Sequence, residues 1–338
     1  AEDWRGYKSG DLVSFAMDDF MADGEIKDVH LVFSPDEKSS LGGYGVTKSK
    51  VLLGISRDVA GSAHAFDWNG KKWTSKKLDF PENGAVSIGA TNDKEDVAFI
   101  STESFLTPDT LWTYNAATGE TAAAKSLPSW FDADSMVSEQ FFATSPDGTK
   151  VPYFVVRAKN TKMDGTNPTL LSGYGGFGIS MTPSFRSTLF PWFEAGGVLA
   201  IPNLRGGGEY GDAWHKAGTL GEKQNVFDDF IAAAEYLVAE GYTNPDKLAI
   251  SGGSNGGLLM GAMLAQRPDL FAAVSCGVPL LDMLRYQNFL MARYWVPEYG
   301  DPENAEHFEW LRAYSPYHNI ADGKTYPPVL VTTADTDD

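Results

Sequence analysis

Leu248-Ala-Ile-Ser-Gly-Gly-Ser-Asn-Gly-Gly-Leu-Leu-Met260 joins a short apolar run to an apolar helical face through five residues that fit G-x-S-x-G. Leu248–Ile250 has the character of a buried parallel strand. Beyond the turn, Leu258, Leu259, Met260 and Met263 supply one face of a helix that Arg267-Pro268 brings to an end. A serine on so sharp a turn stands exposed, and Gly252 and Gly256 keep side chains from crowding it. The helix that follows aims its free N–H groups and positive dipole end at the place where an oxyanion forms. Ser254 is therefore the candidate nucleophile. A Gly-rich loop before an ordinary helix is the bland alternative, and the strand before and helix after argue against it.

The chain has two grammars. Up to about Leu127 the pattern predicts strands at 12–17, 30–34, 51–56, 63–68, 73–78, 86–90, 97–102 and 111–114. Asn69-Gly70 is a strong hairpin signal between two of them. No helical period is evident there, so an all-β sandwich or propeller is expected. Past Ser138, segments 141–145 and 151–156 form one more hairpin around Pro146-Asp-Gly148. Strands at 169–172, 198–201, 248–250, 272–276 and 329–333 then alternate with helices, which predicts a parallel-rich sheet. One helix, 225–241, carries Val226, Phe230, Ala234, Leu237 and Val238 on a stripe, with Asn225 as N-cap and Gly241 as its stop. The fold class read from this is α/β over 133–338, preceded by an all-β domain over 1–132.

Acidic residues outnumber basic ones 45 to 27, a net charge of −18, which repels phosphate backbones and argues against nucleic-acid binding. Cys276 is the only cysteine and lies in an apolar run, where a small buried filler is the natural reading. No run of about 20 apolar residues is present, so no transmembrane helix is expected. The absence of disulfides and of signal-peptide features suits the cytosol, with the periplasm as the alternative. No phosphate loop or metal-ligand spacing occurs, so neither cofactor nor metal is expected.

Several segments together resemble the prolyl oligopeptidase family. They are Gly173-Tyr-Gly-Gly-Phe177, Asn203-Leu-Arg-Gly-Gly-Gly-Glu-Tyr-Gly211, Gly252-Gly-Ser-Asn-Gly-Gly257, Gln266-Arg-Pro-Asp-Leu-Phe271, His307-Phe-Glu-Trp310, Tyr314-Ser-Pro-Tyr-His-Asn319 and Thr333-Ala-Asp-Thr-Asp-Asp338. The likeness runs in order from about Lys77 to the end. It implies an α/β-hydrolase domain preceded by part of a seven-bladed β-propeller, and cleavage of short peptides after proline. Family members are longer, so the chain is expected to be a piece of one, beginning inside the propeller and ending inside the hydrolase domain. A monomeric complete protein and short proline-containing peptides as partners are the corresponding expectations.

The hydrolase chain order is Ser, acid, His. Asp337, after the last strand, matches the family's triad acid, although Asp335 and Asp338 rival it on pattern alone. The first oxyanion donor is the N–H of Asn255, and the resemblance makes the Tyr174 phenol the second. It likewise implies a proline pocket of Phe177, Trp295 and Tyr299, with Leu280 and Met291 in its apolar lining. His30, His64, His215, His307 and His318 all precede Asp337, and none matches the family's catalytic position. His215 and His318 read as packing or hydrogen-bonding residues, and Arg205 as a structural ion-pair partner. The resemblance puts the catalytic histidine and a substrate-binding arginine past Asp338, so this chain taken alone is expected to be inert. Other oligopeptidases of the same fold, basic-specific or acylaminoacyl, and a non-catalytic peptide-binding module are the alternative readings.

Overall fold

A computed structural model of the chain describes residues 3–335. These form two compact units, one from residues 3–130 with Thr182–Arg186 and Glu209–Asp212, the other from the rest of the described residues.

The first unit is antiparallel β. Strands β1 (Leu12–Ser14) and β2 (His30–Phe33) pair with each other. A sheet in the order β3–β4–β5–β6 follows (Ser39–Val46, Val51–Arg57, Ala60–Trp68, Trp73–Lys77). A second runs β10–β9–β8–β7 (Thr121–Ser126, Thr110–Asn115, Val97–Glu103, Ala85–Ile88). Two four-stranded meanders are two blades of a propeller. Strand β4 shows why they stack. Leu52 packs with Ala98, Ile100 and Tyr114 of the second sheet, whereas its neighbour Leu53 joins Leu12, Val32 and Phe33 on the opposite face. Burial on both faces makes Val51–Ile55 a continuous apolar run instead of an alternating one.

Three features here depart from expectation. The apolar stretch at 12–17 ends as a strand at Ser14, and helix α1 (Met17–Asp23) follows with no buried residue. Asp18 and Asp19 in its first turn favour the dipole, and Gly24 at φ 78 closes it. Strand β3 escaped the pattern because it is Gly-rich: a Cβ on Gly45 would lie 2.6 Å from Thr91 Cγ2. Strand β10 escaped because every residue of it is exposed, which leaves no alternation to read.

The second unit holds a seven-stranded sheet in the order β11–β12–β14–β13–β15–β16–β17 (Met136–Thr144, Lys150–Ala158, Val198–Pro202, Thr169–Ser172, Leu248–Gly253, Ala273–Gly277, Val329–Thr332). The β11–β12 and β12–β14 pairs are antiparallel and the rest parallel. Its helices are α2 (Phe190–Glu194), α3 (Asp212–Lys216), α4 (Gln224–Ala239), α5 (Asn255–Gln266), α6 (Val296–Tyr299), α7 (Ala305–Tyr314) and α8 (Pro316–Asn319). The core joins β12, β14 and β15 to the stripe Val226, Phe227, Phe230, Ala233, Ala234 and Leu237 of α4.

Asn225 is not the N-cap of α4. The preceding turn Leu220–Glu222 starts the helix early, so Lys223 caps it and the Asn225 amide donates to Ala217 O at 2.9 Å. Gly241, at φ 76, does end it, its N–H on Val238 O and that of Tyr242 on Leu237 O. Cys276 is a buried free thiol that burial pushes up to about 11, consistent with a core filler.

Asp229 stands inside the apolar stripe of α4 yet is fully buried. Arg205 explains it: Nη2 donates to Asp229 Oδ1 at 2.6 Å, Nε to Oδ2 at 3.0 Å, and the main-chain N–H to Oδ2 at 3.0 Å. Ser145 Oγ adds a bond at 2.7 Å, and Arg205 reaches Asp147 at 2.5 Å. The arginine is thus a structural ion-pair partner that ties the β11–β12 hairpin to α4. A buried charge is tolerated only when so fully bonded.

Candidate active site

Ser254 sits between the end of β15 and the start of α5 with φ 58 and ψ −119. A positive φ on a residue with a side chain is strained and needs support on both sides. Ser254 N donates to Gly277 O at 3.0 Å, and its carbonyl accepts from Gly257 N at 2.8 Å and Leu258 N at 3.0 Å. The glycines follow from close packing. A Cβ on Gly256 would come 2.7 Å from Gly173 O, one on Gly257 2.6 Å from Gly277 O, and one on Gly252 would collide with the Gly256 carbonyl. The strand-to-helix turn thus requires this glycine pattern, and it lifts the serine side chain out of the sheet.

Tyr174 follows β13, the strand beside β15, which places its phenol near the Ser254 side chain. Burial pushes that phenol above its ordinary range, against the pull of Ser254 and helped by the Glu298 carboxylate, so it remains a proton donor at neutral pH. Asn255 is buried at the first position of α5, where main-chain N–H groups lack helical partners. Its side-chain amide donates to Tyr174 O at 2.6 Å, and its Oδ1 accepts from Tyr299 Oη at 2.9 Å. One asparagine therefore ties the serine turn to the tyrosine.

A cavity of about 290 Å³ opens at Ser254, walled by Val278, Leu280, Tyr286, Phe289 and Trp295 and edged by Thr333. Phe177 backs Trp295 edge-on, with centroids 6.4 Å apart and planes at 80°. Of the five expected pocket residues, Trp295 and Leu280 are on this wall and Phe177, Tyr299 and Met291 are not. Tyr299 has no exposed surface; its ring packs on Phe177 at 5.6 Å and its hydroxyl serves Asn255. Met291 is 46% exposed and outside the cavity wall, because the backbone turns outward through Phe289-Leu290-Met291. Val278, Tyr286 and Phe289 went unnoticed in the sequence.

Asp337 lies outside the described residues; strand β17 brings the chain to Thr333, on the cavity edge. The histidines of this unit are engaged elsewhere. His215 Nε2 meets Glu298 Oε2 at 2.8 Å, His307 Nδ1 accepts from Asp301 N at 3.0 Å, and His318 Nδ1 meets Ser315 Oγ at 2.9 Å. In the β unit His30 packs on Trp68 and His64 Nε2 meets Ser62 Oγ at 3.1 Å. Among the described residues no group of three or more metal-ligating side chains converges, and no helix is long and apolar enough to cross a membrane.

A serine on a strained strand-to-helix turn of a mostly parallel sheet, with donors gathered at it, defines an α/β-hydrolase. A sequence profile described as "Prolyl oligopeptidase family" matches residues 183–338, and one described as "Prolyl oligopeptidase, N-terminal beta-propeller domain" matches residues 3–126. The prolyl endopeptidase of Elizabethkingia meningoseptica is 45% identical over 284 residues, which are 83% of this chain and 40% of that protein. A post-proline cleaving enzyme from Rickettsia typhi superposes with a TM-score of 0.89 at 37% identity, over 95% of this chain and 47% of its own. A prolyl oligopeptidase B from Galerina marginata, solved bound to a 35mer substrate, gives 0.84 at 33% identity, over 90% of this chain and 43% of that one. The chain belongs to the prolyl oligopeptidase family of serine peptidases, with an α/β-hydrolase domain preceded by a β-propeller domain. It spans less than half the length of each of these relatives.

Proposed function

We propose that these residues form the nucleophile side of a serine peptidase active site that cleaves short peptides on the carboxyl side of proline. The observation that carries the reading is the strained Ser254 turn, with Tyr174 held next to it through Asn255 and an apolar, aromatic cavity opening beside it. Ser254 Oγ attacks the scissile carbonyl, and the carbonyl oxygen gains charge between the Tyr174 O–H and the Asn255 N–H. The amine leaves, water hydrolyses the acyl-enzyme, and the serine is restored. Asp337 orients the imidazole that takes the serine proton, and that imidazole is none of the five histidines here. Proline's flat ring, with no N–H to satisfy, suits a cavity walled by Trp295, Leu280 and Val278.

A basic-specific pocket would need a free carboxylate facing the serine. Asp282 borders the cavity, but Arg285 Nε already donates to it at 2.6 Å and Leu284 N at 3.2 Å. The test uses the product of the complete coding sequence. A fluorophosphonate should label Ser254 and not the S254A variant, and peptides with proline before the scissile bond should be cut in preference to alanine or arginine analogues. A folded product that takes no label would leave the non-catalytic binding module standing; a preference for arginine would transfer the protein to the basic-specific class.

A further inference from the structure

Behind the Tyr174 turn, three ionisable side chains meet, two of them buried and the third, His215, partly exposed, and the acyl-transfer steps use none of them. Glu298 is 5% exposed and Lys223 1%. One Glu298 oxygen accepts from the Phe177 main-chain N–H at 2.9 Å and from Lys223 Nζ at 3.3 Å; the other meets His215 Nε2 at 2.8 Å. Lys223 also donates to Gly175 O at 3.0 Å. Two of the three residues after Tyr174 are thus held by opposite members of one ion pair. Phe177 adopts φ 56, a strained conformation for an aromatic residue that persists only where its surroundings enforce it. Burying a lysine and a glutamate costs several kcal/mol per ion before their attraction is counted, so the pair is a poor device for stability alone.

We propose that Glu298, gripped by Lys223 and His215, is a positioning residue for the oxyanion loop. It holds the Phe177 amide, and through Gly175–Phe177 it keeps the Tyr174 phenol aimed at the developing negative charge. Glu298 also lies on α6, three residues after Trp295 and beside Tyr299, so one carboxylate keeps the oxyanion loop and the cavity wall in register. The catalytic part of the inference rests on Tyr174 being the oxyanion donor; the loop-holding part does not.

Two variants of the complete gene product differ in the acceptor offered to Phe177, with Ala also removing buried volume and the His215 contact. K223M/E298A has none, K223M/E298Q keeps one, and neither leaves a lone buried charge that would unfold the protein. The Ala variant should show faster hydrogen exchange at the Phe177 amide than the Gln variant. Its kcat on a proline substrate should be lower by about ten- to a hundredfold with KM nearly unchanged, the scale of a small misplacement. Adding Y174F should cost the Ala variant far less than it costs wild type, since both changes remove the same interaction. Equal exchange in the two variants would overturn the inference, as would full additivity with Y174F. Slower exchange in the Gln variant from a wild type that cuts no peptide bond would uphold the loop clamp and reject the peptidase reading.

Discussion

Tyr174 and Tyr299 show how little a residue type says until its hydroxyl is located. Both are tyrosines of the site region, yet one phenol lies near Ser254 and the other is fully buried with its hydroxyl on Asn255. Removing the first hydroxyl should act on rate. Tyr174→Phe in the complete gene product is expected to lower kcat about a hundredfold or more, the worth of one oxyanion donor, with KM changing little. Removing the second should act on the fold: Tyr299→Phe leaves Asn255 Oδ1 without its donor and is expected to cost about 1–3 kcal/mol in urea unfolding. It should leave the preference for proline intact. Trp295→Ala should do the reverse, lowering kcat/KM for proline substrates more than for alanine ones; equal losses on both would remove Trp295 from the pocket.

At the scale of elements, α4 is tied to the segment after β14 and to the β11–β12 hairpin by one ion network. Arg205 and Asp229 make the first tie, and Asp147 in the hairpin completes the second. Burial alone would raise the Asp147 carboxyl, but the Thr149 N–H and the Arg205 guanidinium overcome this and hold it at about 2. A folded-state value below that of an unfolded aspartate means the contribution is complete above the ordinary carboxylate range. It is lost as pH falls from about 4 toward 2. Asp147→Asn should therefore lower the urea midpoint near pH 6 and make little difference near pH 2. A deficit that persists undiminished at pH 2 would mean that the hairpin, not the charge, was disturbed.

For the whole molecule, what matters is which groups the chain brings to Ser254. The five histidines are all placed in other contacts or in the β unit. Without an imidazole the serine is a weak nucleophile, and losing a triad histidine costs on the order of a millionfold in turnover. The 338-residue chain by itself is expected to show no proline-peptide turnover and no acyl-enzyme burst, whereas the complete gene product should show both. Turnover by the isolated chain, abolished by His215→Ala or His318→Ala, would reveal an unforeseen base.

Local chemistry wrote the nucleophile turn into the sequence. Glycines at 252, 256 and 257 meet neighbouring main chain so closely that no side chain fits, and the apolar run and helical face on either side follow from burial on the sheet. The two grammars, the parallel strands and the buried Cys276 were legible for the same reason: each answers to its own neighbours in sequence or to simple burial. The Gly-rich β3, the exposed β10 and the depth of Tyr299 were not. Nor was the meeting of Lys223, Glu298 and His215 behind Phe177, because those side chains lie up to 83 residues apart in the chain. Spacing along a chain records what a residue needs locally. Only the packed sheet, helix and loop decide which distant hydroxyl or carboxylate will supply it.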